Sequence, residues 1–170
     1  GNLVKNVFTL GGCGRIIGAH VIECEDEAEL LMGWSSFLKA VDPDIITGYN
    51  IQNFDVPYLI NRAKTLNKKD RSLNRFADWG RLKGILSNMK ETTFQSSAYG
   101  KRENIDTSIP GRVMFDMLPY FFRNHKLSSY TLNNVSAEFL GQQKDDIHYS
   151  IISDLQRGTN DDRRRLALYC

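Results

Sequence analysis

Asp55 ends the run Asp42-Pro-Asp-Ile-Ile-Thr-Gly-Tyr-Asn-Ile-Gln-Asn-Phe-Asp55, where a side chain can be held firmly and still reach outward. Ile45 and Ile46 are β-branched and apolar, which predicts a short buried strand over 44–47. Gly48 permits a sharp exit from it. Asp55 then falls at the N-cap of a helix predicted over 56–66, with Pro57 just inside. Tyr58, Leu59, Ile60, Ala63 and Leu66 continue that helix. A carboxylate fixed between a strand and a helix suits a metal ligand or a catalytic acid. Capping is also the commonest task of an Asp before a helix, and local sequence leaves both readings open.

The elements around this point read as an alternation of strand and helix. Residues 3–10 and 15–23 predict two strands joined by a Gly-Gly-Cys-Gly turn. Asp26 with Glu29 resembles a capping box. The helix it opens carries Leu30, Leu31, Trp34, Phe37, Leu38 and Val41 on one stripe, which is a core face. With the strand and helix around Asp55, this order argues an α/β layer fold. Residues 67–71 are a polar break. Thr92, Phe94, Gln95 and Ser96 then predict an extended arm, Tyr99-Gly-Lys-Arg102 its tip, and 104–109 its return. This is a protruding β-hairpin, an insertion spanning about 79–110.

Beyond the hairpin, 113–115 predicts a strand. Asp116 opens a helix through Leu118, Phe121 and Phe122 and reads as structural. A helix over 131–140 stops at Gly141. Residues 145–152 read as a loop into a brief helix, and a last helix starts near Asn160 and ends on Leu166, Leu168 and Tyr169. No linker rich in Pro or Ser divides the chain, so one domain over 1–170 is expected.

Composition narrows the class. The 170 residues are 41% hydrophobic and 25% charged, ordinary for a globular protein with a real core. No run approaches the roughly 18 apolar residues of a membrane span. The start lacks the apolar core of a signal peptide and lacks Met, which points to an excised piece of a longer chain. Cys13, Cys24 and Cys170 are an odd count without metal-type spacing, so a reducing intracellular compartment is the simplest reading. His20, His125 and His148 are scattered, which argues against a zinc site. The net charge of +2 conceals an asymmetry. From Arg62 to Arg102 there are eleven Lys and Arg against Asp70, Asp78 and Glu91, whereas Glu23 to Glu29 holds five carboxylates. The basic stretch is either a solvated face or a path for phosphates, with Lys101 and Arg102 at the hairpin tip as candidate DNA contacts. No Gly-x-Gly-x-x-Gly, P-loop or Gly-x-Ser-x-Gly motif supports a small-molecule enzyme.

Asn50-x-x-x-Phe54-Asp55 within Ile-Thr-Gly-Tyr-Asn resembles the second exonuclease motif of the B-family DNA polymerases, and the match to the eukaryotic replicative members is long. It runs through Ser87-Asn88, Phe94-Gln95-Ser96, Gly111-Arg112-Val113-Met114-Phe115-Asp116-Met117-Leu118 and Ser136-Ala-Glu-Phe-Leu-Gly-Gln-Gln-Lys144. It ends in Arg163-Arg-Arg-Leu-Ala-Leu-Tyr169-Cys170, so it covers nearly the whole chain. The resemblance implies a ribonuclease H-like exonuclease fold, a mixed central sheet flanked by helices, truncated at both ends. It implies proofreading, the hydrolysis of mismatched 3′ nucleotides, in a nuclear enzyme that also polymerises DNA.

That chemistry needs an activated water and neutralised phosphate charge, which two divalent ions about 4 Å apart provide. Carboxylate oxygens suit Mg²⁺, with Mn²⁺ able to substitute. The resemblance makes Asp55 the second-motif metal ligand and Tyr169 the late tyrosine that orients the attacking water. It makes Asn50 and Phe54 supports of the site that contact the terminal nucleotide. The early Asp-x-Glu is absent, and the late Asp would fall three positions beyond Cys170. The 170-residue chain is therefore expected to be inactive by itself. Implied partners are a primer-template with its single-stranded 3′ end, the rest of the polymerase chain, accessory subunits and a sliding clamp, with no membrane. The alternative is a non-catalytic, DNA-contacting or scaffolding domain of a B-family polymerase.

Overall fold

The computed structural model describes residues 3–68, 71–96, 100–143 and 147–170; residues 91–96 and 100–104 are described by backbone alone. The chain divides into two compact units, one formed by 1–33 with 131–170 and the other by 34–130.

In the first unit, β1 (Asn6–Leu10) and β2 (His20–Cys24) pair in parallel, Asn6 opposite His20 and Leu10 opposite Cys24. The expected tight turn between them is therefore a return segment. Nine residues span up to about 30 Å, ample to travel back along a five-residue strand. The segment is fastened to α6 (Asn160–Tyr169). Gly14 donates its N–H to the Asn160 carbonyl at 2.8 Å, Arg164 Nε donates to the Arg15 carbonyl at 2.8 Å, and Arg163 Nε donates to the Gly12 carbonyl. A Cβ on Gly14 would stand 2.9 Å from Asp161 Oδ1, so the loop's glycines permit close approach to the helix rather than a hairpin turn. The basic run near the C-terminus is thus partly structural.

The helix α1 (Glu27–Val41) starts as the sequence predicts, with Asp26 Oδ1 accepting from Glu29 N–H at 2.8 Å. The return bond of the capping box is displaced by one residue, because Glu29 Oε2 accepts from Glu25 N–H at 2.6 Å. Leu31, Ser35 and Leu38 are its buried face; Val41, expected on the stripe, is exposed at the helix end. Later in the chain come α4 (Leu132–Leu140), α5 (Ile152–Arg157) and α6. Thr131 caps α4, and Gly141 ends it in the left-handed region at φ 63°. Cys13 and Cys24 are buried free thiols and Cys170 an exposed one; burial pushes the first two thiols up.

The second unit holds β3 (Ile45–Gly48), α2 (Asp55–Leu66), the hairpin strands β4 (Asn88–Ser96) and β5 (Gly100–Ser108), β6 (Val113–Asp116) and α3 (Met117–Asn124). β3 pairs in parallel with β6, Gly48 opposite Asp116, and β4 pairs antiparallel with β5. The strands of the chain therefore form three two-stranded sheets among the described residues. Ile45 is 58% exposed, so β3 is not the buried strand its sequence suggests. With one partner strand, one face of its side chains stays open. The hairpin is present, with Ser96 opposite Gly100. Residues 97–99, including the expected tip residue Tyr99, lie outside the described residues.

Trp79 is fully buried and Phe76 nearly so; their rings meet edge-on at 5.1 Å, and Trp34 meets Trp79 at 5.3 Å. Such edge contacts suit the aromatic quadrupoles. Beside this cluster the buried Arg112 donates to the Trp79 carbonyl at 2.7 Å, to the Pro43 carbonyl at 2.6 Å and to Asp42 at 2.6 Å. Arg81 reaches Asp42 at 2.8 Å and Asp44 at 2.6 Å. The hydrogen bonds from Arg81 and then Arg112 hold the Asp42 carboxyl below the usual carboxylate range. Its contribution to stability is accordingly present above the unfolded value of about 3.9 and lost as pH falls through the lower folded value. Asp42 sits at φ 49°, which Asn also tolerates, so Asp42→Asn isolates the charge. In urea titrations, Asp42→Asn is expected to be less stable than the unsubstituted chain at pH 7. That difference should shrink as pH falls through the lowered Asp42 value; a difference independent of pH would mean the ion pairs contribute nothing.

Candidate active site

The candidate residues sit on the crossing from β3 to α2. Gly48 approaches Ile51 so closely that a Cβ there would lie 2.3 Å from Ile51 Cγ2. Gly48 thus provides space rather than the turn itself. The turn is made at Asn50, whose φ of 60° is left-handed, a region Asn tolerates better than most residues. Phe54 N–H then donates to the Asn50 carbonyl at 3.1 Å, and Val56 N–H to the Ile51 carbonyl at 3.0 Å.

Asp116 holds this crossing. It is 7% exposed and ends β6 directly beside Gly48. Its carboxylate accepts from Asn50 N–H at 2.7 Å, from Gln52 N–H at 3.1 Å and, as the cap of α3, from Leu118 N–H at 3.0 Å. A buried carboxylate is stable when backbone donors surround it in this way. The structural reading of Asp116 therefore stands and gains a target, because the side chain shapes the loop that carries Asn50, Phe54 and Asp55. Tyr49 adds a second fastening by donating its hydroxyl to the Tyr130 carbonyl at 2.6 Å. Burial, with the Asp116 carboxylate nearby, raises the Tyr49 phenol.

Asp55 is not the helix cap. Phe54 occupies that position without a side-chain cap bond, and Asp55 is the first residue of α2. The Asp55 side chain is exposed and takes no hydrogen bond or ion pair among the described residues. The first turn of a helix favours a negative charge there. Val56, Pro57, Ile60 and Ala63 bury the opposite side of α2 and anchor it. Phe54 is 68% exposed, so its ring is also available to a ligand. Asn50, Phe54 and Asp55 are thus brought together on one loop. Tyr169 ends α6 in the other unit and is half-buried. Lys101 and Arg102 lie on β5 opposite Gln95 and Phe94, next to the expected tip; their side chains lie outside the described residues.

Two features escape a reading of the sequence. One is the reach of Asp116 to Asn50 and Gln52; the available signal is that both Gly48 and Asp116 end strands that lead into helices. The other is Asn53, whose Oδ1 accepts from Ile105 N–H at 3.0 Å and whose Nδ2 donates to Asn50 Oδ1 at 3.4 Å. The basic stretch is also less free than its composition suggests. Arg75 pairs with Asp78 at 2.9 Å, and Arg81 is held by Asp42 and Asp44.

The profile of the DNA polymerase family B exonuclease domain matches residues 2–135. The chain belongs to that family. It is 56% identical over 98% of its length to the DNA polymerase delta catalytic subunit of Dictyostelium discoideum. The corresponding subunits of Schizosaccharomyces pombe and Drosophila melanogaster are 53% and 51% identical over the same share. The chain spans about 15% of the length of these relatives. The exonuclease-domain residues Asn50, Phe54 and Asp55 all fall within the matched region.

If Asp116 shapes the site loop, removing its carboxylate strips three backbone donors of their acceptor. Asp116→Ala is expected to cost about 3–5 kcal/mol in urea denaturation. Amide exchange at Asn50 and Gln52 should rise more than the global loss accounts for. Unchanged exchange at those two amides would assign the loop's shape to other contacts.

Proposed function

We propose that this chain is part of the 3′–5′ proofreading exonuclease of a replicative, nuclear polymerase of the delta type. The observation that carries the reading is an exposed Asp55 carboxylate, without a partner among the described residues, beside an exposed Phe54 at the start of α2. In this reading the fold is the ribonuclease H-like one, the chain forms one partial exonuclease domain, and the hairpin is its insertion. Primer-template DNA, the rest of the polymerase chain, accessory subunits and a sliding clamp are its partners.

Asp55 fits as one oxygen ligand for a hard divalent ion such as Mg²⁺. Among the described residues no group of three or more His, Cys, Asp or Glu could hold an ion. In this reading Asp55 supplies one ligand, and hydrolysis by two ions is a property of the longer polymerase. What these residues do themselves is bind and orient. The Phe54 ring can stack on the terminal base, and stacking tolerates any base, as excision of arbitrary errors requires. Asn50 is fixed through its backbone N–H by Asp116, and its side-chain Oδ1 accepts from Asn53 Nδ2. Tyr169 in this reading orients the attacking water.

In the full-length polymerase, Asp55→Ala is expected to reduce mismatch excision by several orders of magnitude while primer extension stays near normal, since extension uses another site. The 170-residue chain alone should not shorten a labelled mismatched primer in Mg²⁺ or Mn²⁺. Normal excision by the Asp55→Ala polymerase would leave the non-catalytic, DNA-contacting reading in its place.

Lys101 and Arg102 are proposed to meet DNA phosphates near the hairpin tip. Replacing both with Ala in the full-length polymerase should weaken primer-template binding equally for all sequences. It should also flatten the salt dependence by about one to two phosphate contacts. Equal affinity and an equal slope would return them to a solvated basic surface.

A further inference from the structure

Asn53 joins two structures that the sequence keeps 52 residues apart, the site loop and the hairpin. Its Oδ1 accepts the Ile105 N–H of β5 at 3.0 Å, and its Nδ2 donates to Asn50 Oδ1 at 3.4 Å. β5 has β4 on one side, so alternate N–H groups of β5 face away from that partner. The Ile105 N–H is one of these outward donors, and Asn53 caps it. Phe54 and Asp55 follow Asn53 immediately. β5 extends five residues from Ile105 back to Gly100, roughly 17 Å at strand rise. A tie near the root of such a lever sets where its end lies.

We propose that Asn53 is a positioning residue that registers the hairpin against the loop carrying Phe54 and Asp55. A DNA end guided by the hairpin is then delivered to the excision residues. The consequence for excision rests on the proofreading reading; the tie itself does not. Loss of the tie spares a substrate that enters the site without guidance, such as a free single strand. It impairs a mismatched duplex end, which must be separated and transferred. Asn53→Asp keeps the acceptor for Ile105 and loses the donor to Asn50, whereas Asn53→Ala loses both.

The test uses the full-length polymerase with Asn53→Ala and Asn53→Asp. Ile105 amide exchange is expected to rise by up to about tenfold in Asn53→Ala and to change little in Asn53→Asp. Asn53→Ala should excise a mismatched primer-template end several-fold more slowly and degrade a single-stranded oligonucleotide at the normal rate. Unchanged Ile105 exchange in Asn53→Ala, or an equal fall on both substrates, overturns the proposal. If the unsubstituted polymerase excised neither substrate, the proofreading reading would fall, and Ile105 exchange would still decide the tie.

Discussion

The Asp116 carboxylate is the constraint on which the candidate site depends. One buried anion gathers the N–H groups of Asn50, Gln52 and Leu118. It thereby joins the end of β6, the start of α3 and the loop that leaves β3. Parallel pairing places Gly48 opposite Asp116, so the two strand ends arrive side by side and the short Asp side chain can reach across. The loop would otherwise carry unpaired backbone donors close to a protein interior, a cost the carboxylate removes. The left-handed Asn50 and the missing Cβ of Gly48 are what the chain needs in order to follow the path this anion defines.

The consequence is a division of labour between two aspartates at two strand-to-helix junctions. Asp116 is buried, caps a helix and is surrounded by donors. Asp55 is exposed, lies inside a helix start and has no donor among the described residues. A carboxylate already satisfied by backbone groups has little to offer a cation, whereas one left open has its full charge available. The environments, rather than the residue type, separate the structural acid from the candidate ligand.

Charge elsewhere is used for cohesion. Arg112 is buried because it satisfies two carbonyls and a carboxylate at once, and Arg81 shares that carboxylate. These arginines tie the turn before β3 to the approach to β6, so the pair of strands that positions the site is secured at both ends. In the first unit, Arg163 and Arg164 similarly fasten the glycine-rich return segment to α6.

By itself the sequence determined most of the element order. The apolar stripe of α1, the stop at Gly141 and the hairpin arms all rest on short-range rules of periodicity and backbone freedom. The extended motif around Asn50, Phe54 and Asp55 carried the family. Tertiary structure decided what depends on partners distant in sequence. β1 and β2 pair in parallel, with the segment between them fastened to α6, which no local turn signal reveals. Asp55 is open rather than capping because the loop geometry puts Phe54 at the cap position. Ile45 is exposed because burial belongs to a strand's neighbours and not to its own residues. Asn53, unremarkable in sequence, ties the hairpin to the site loop because folding brings Ile105 within reach of its amide.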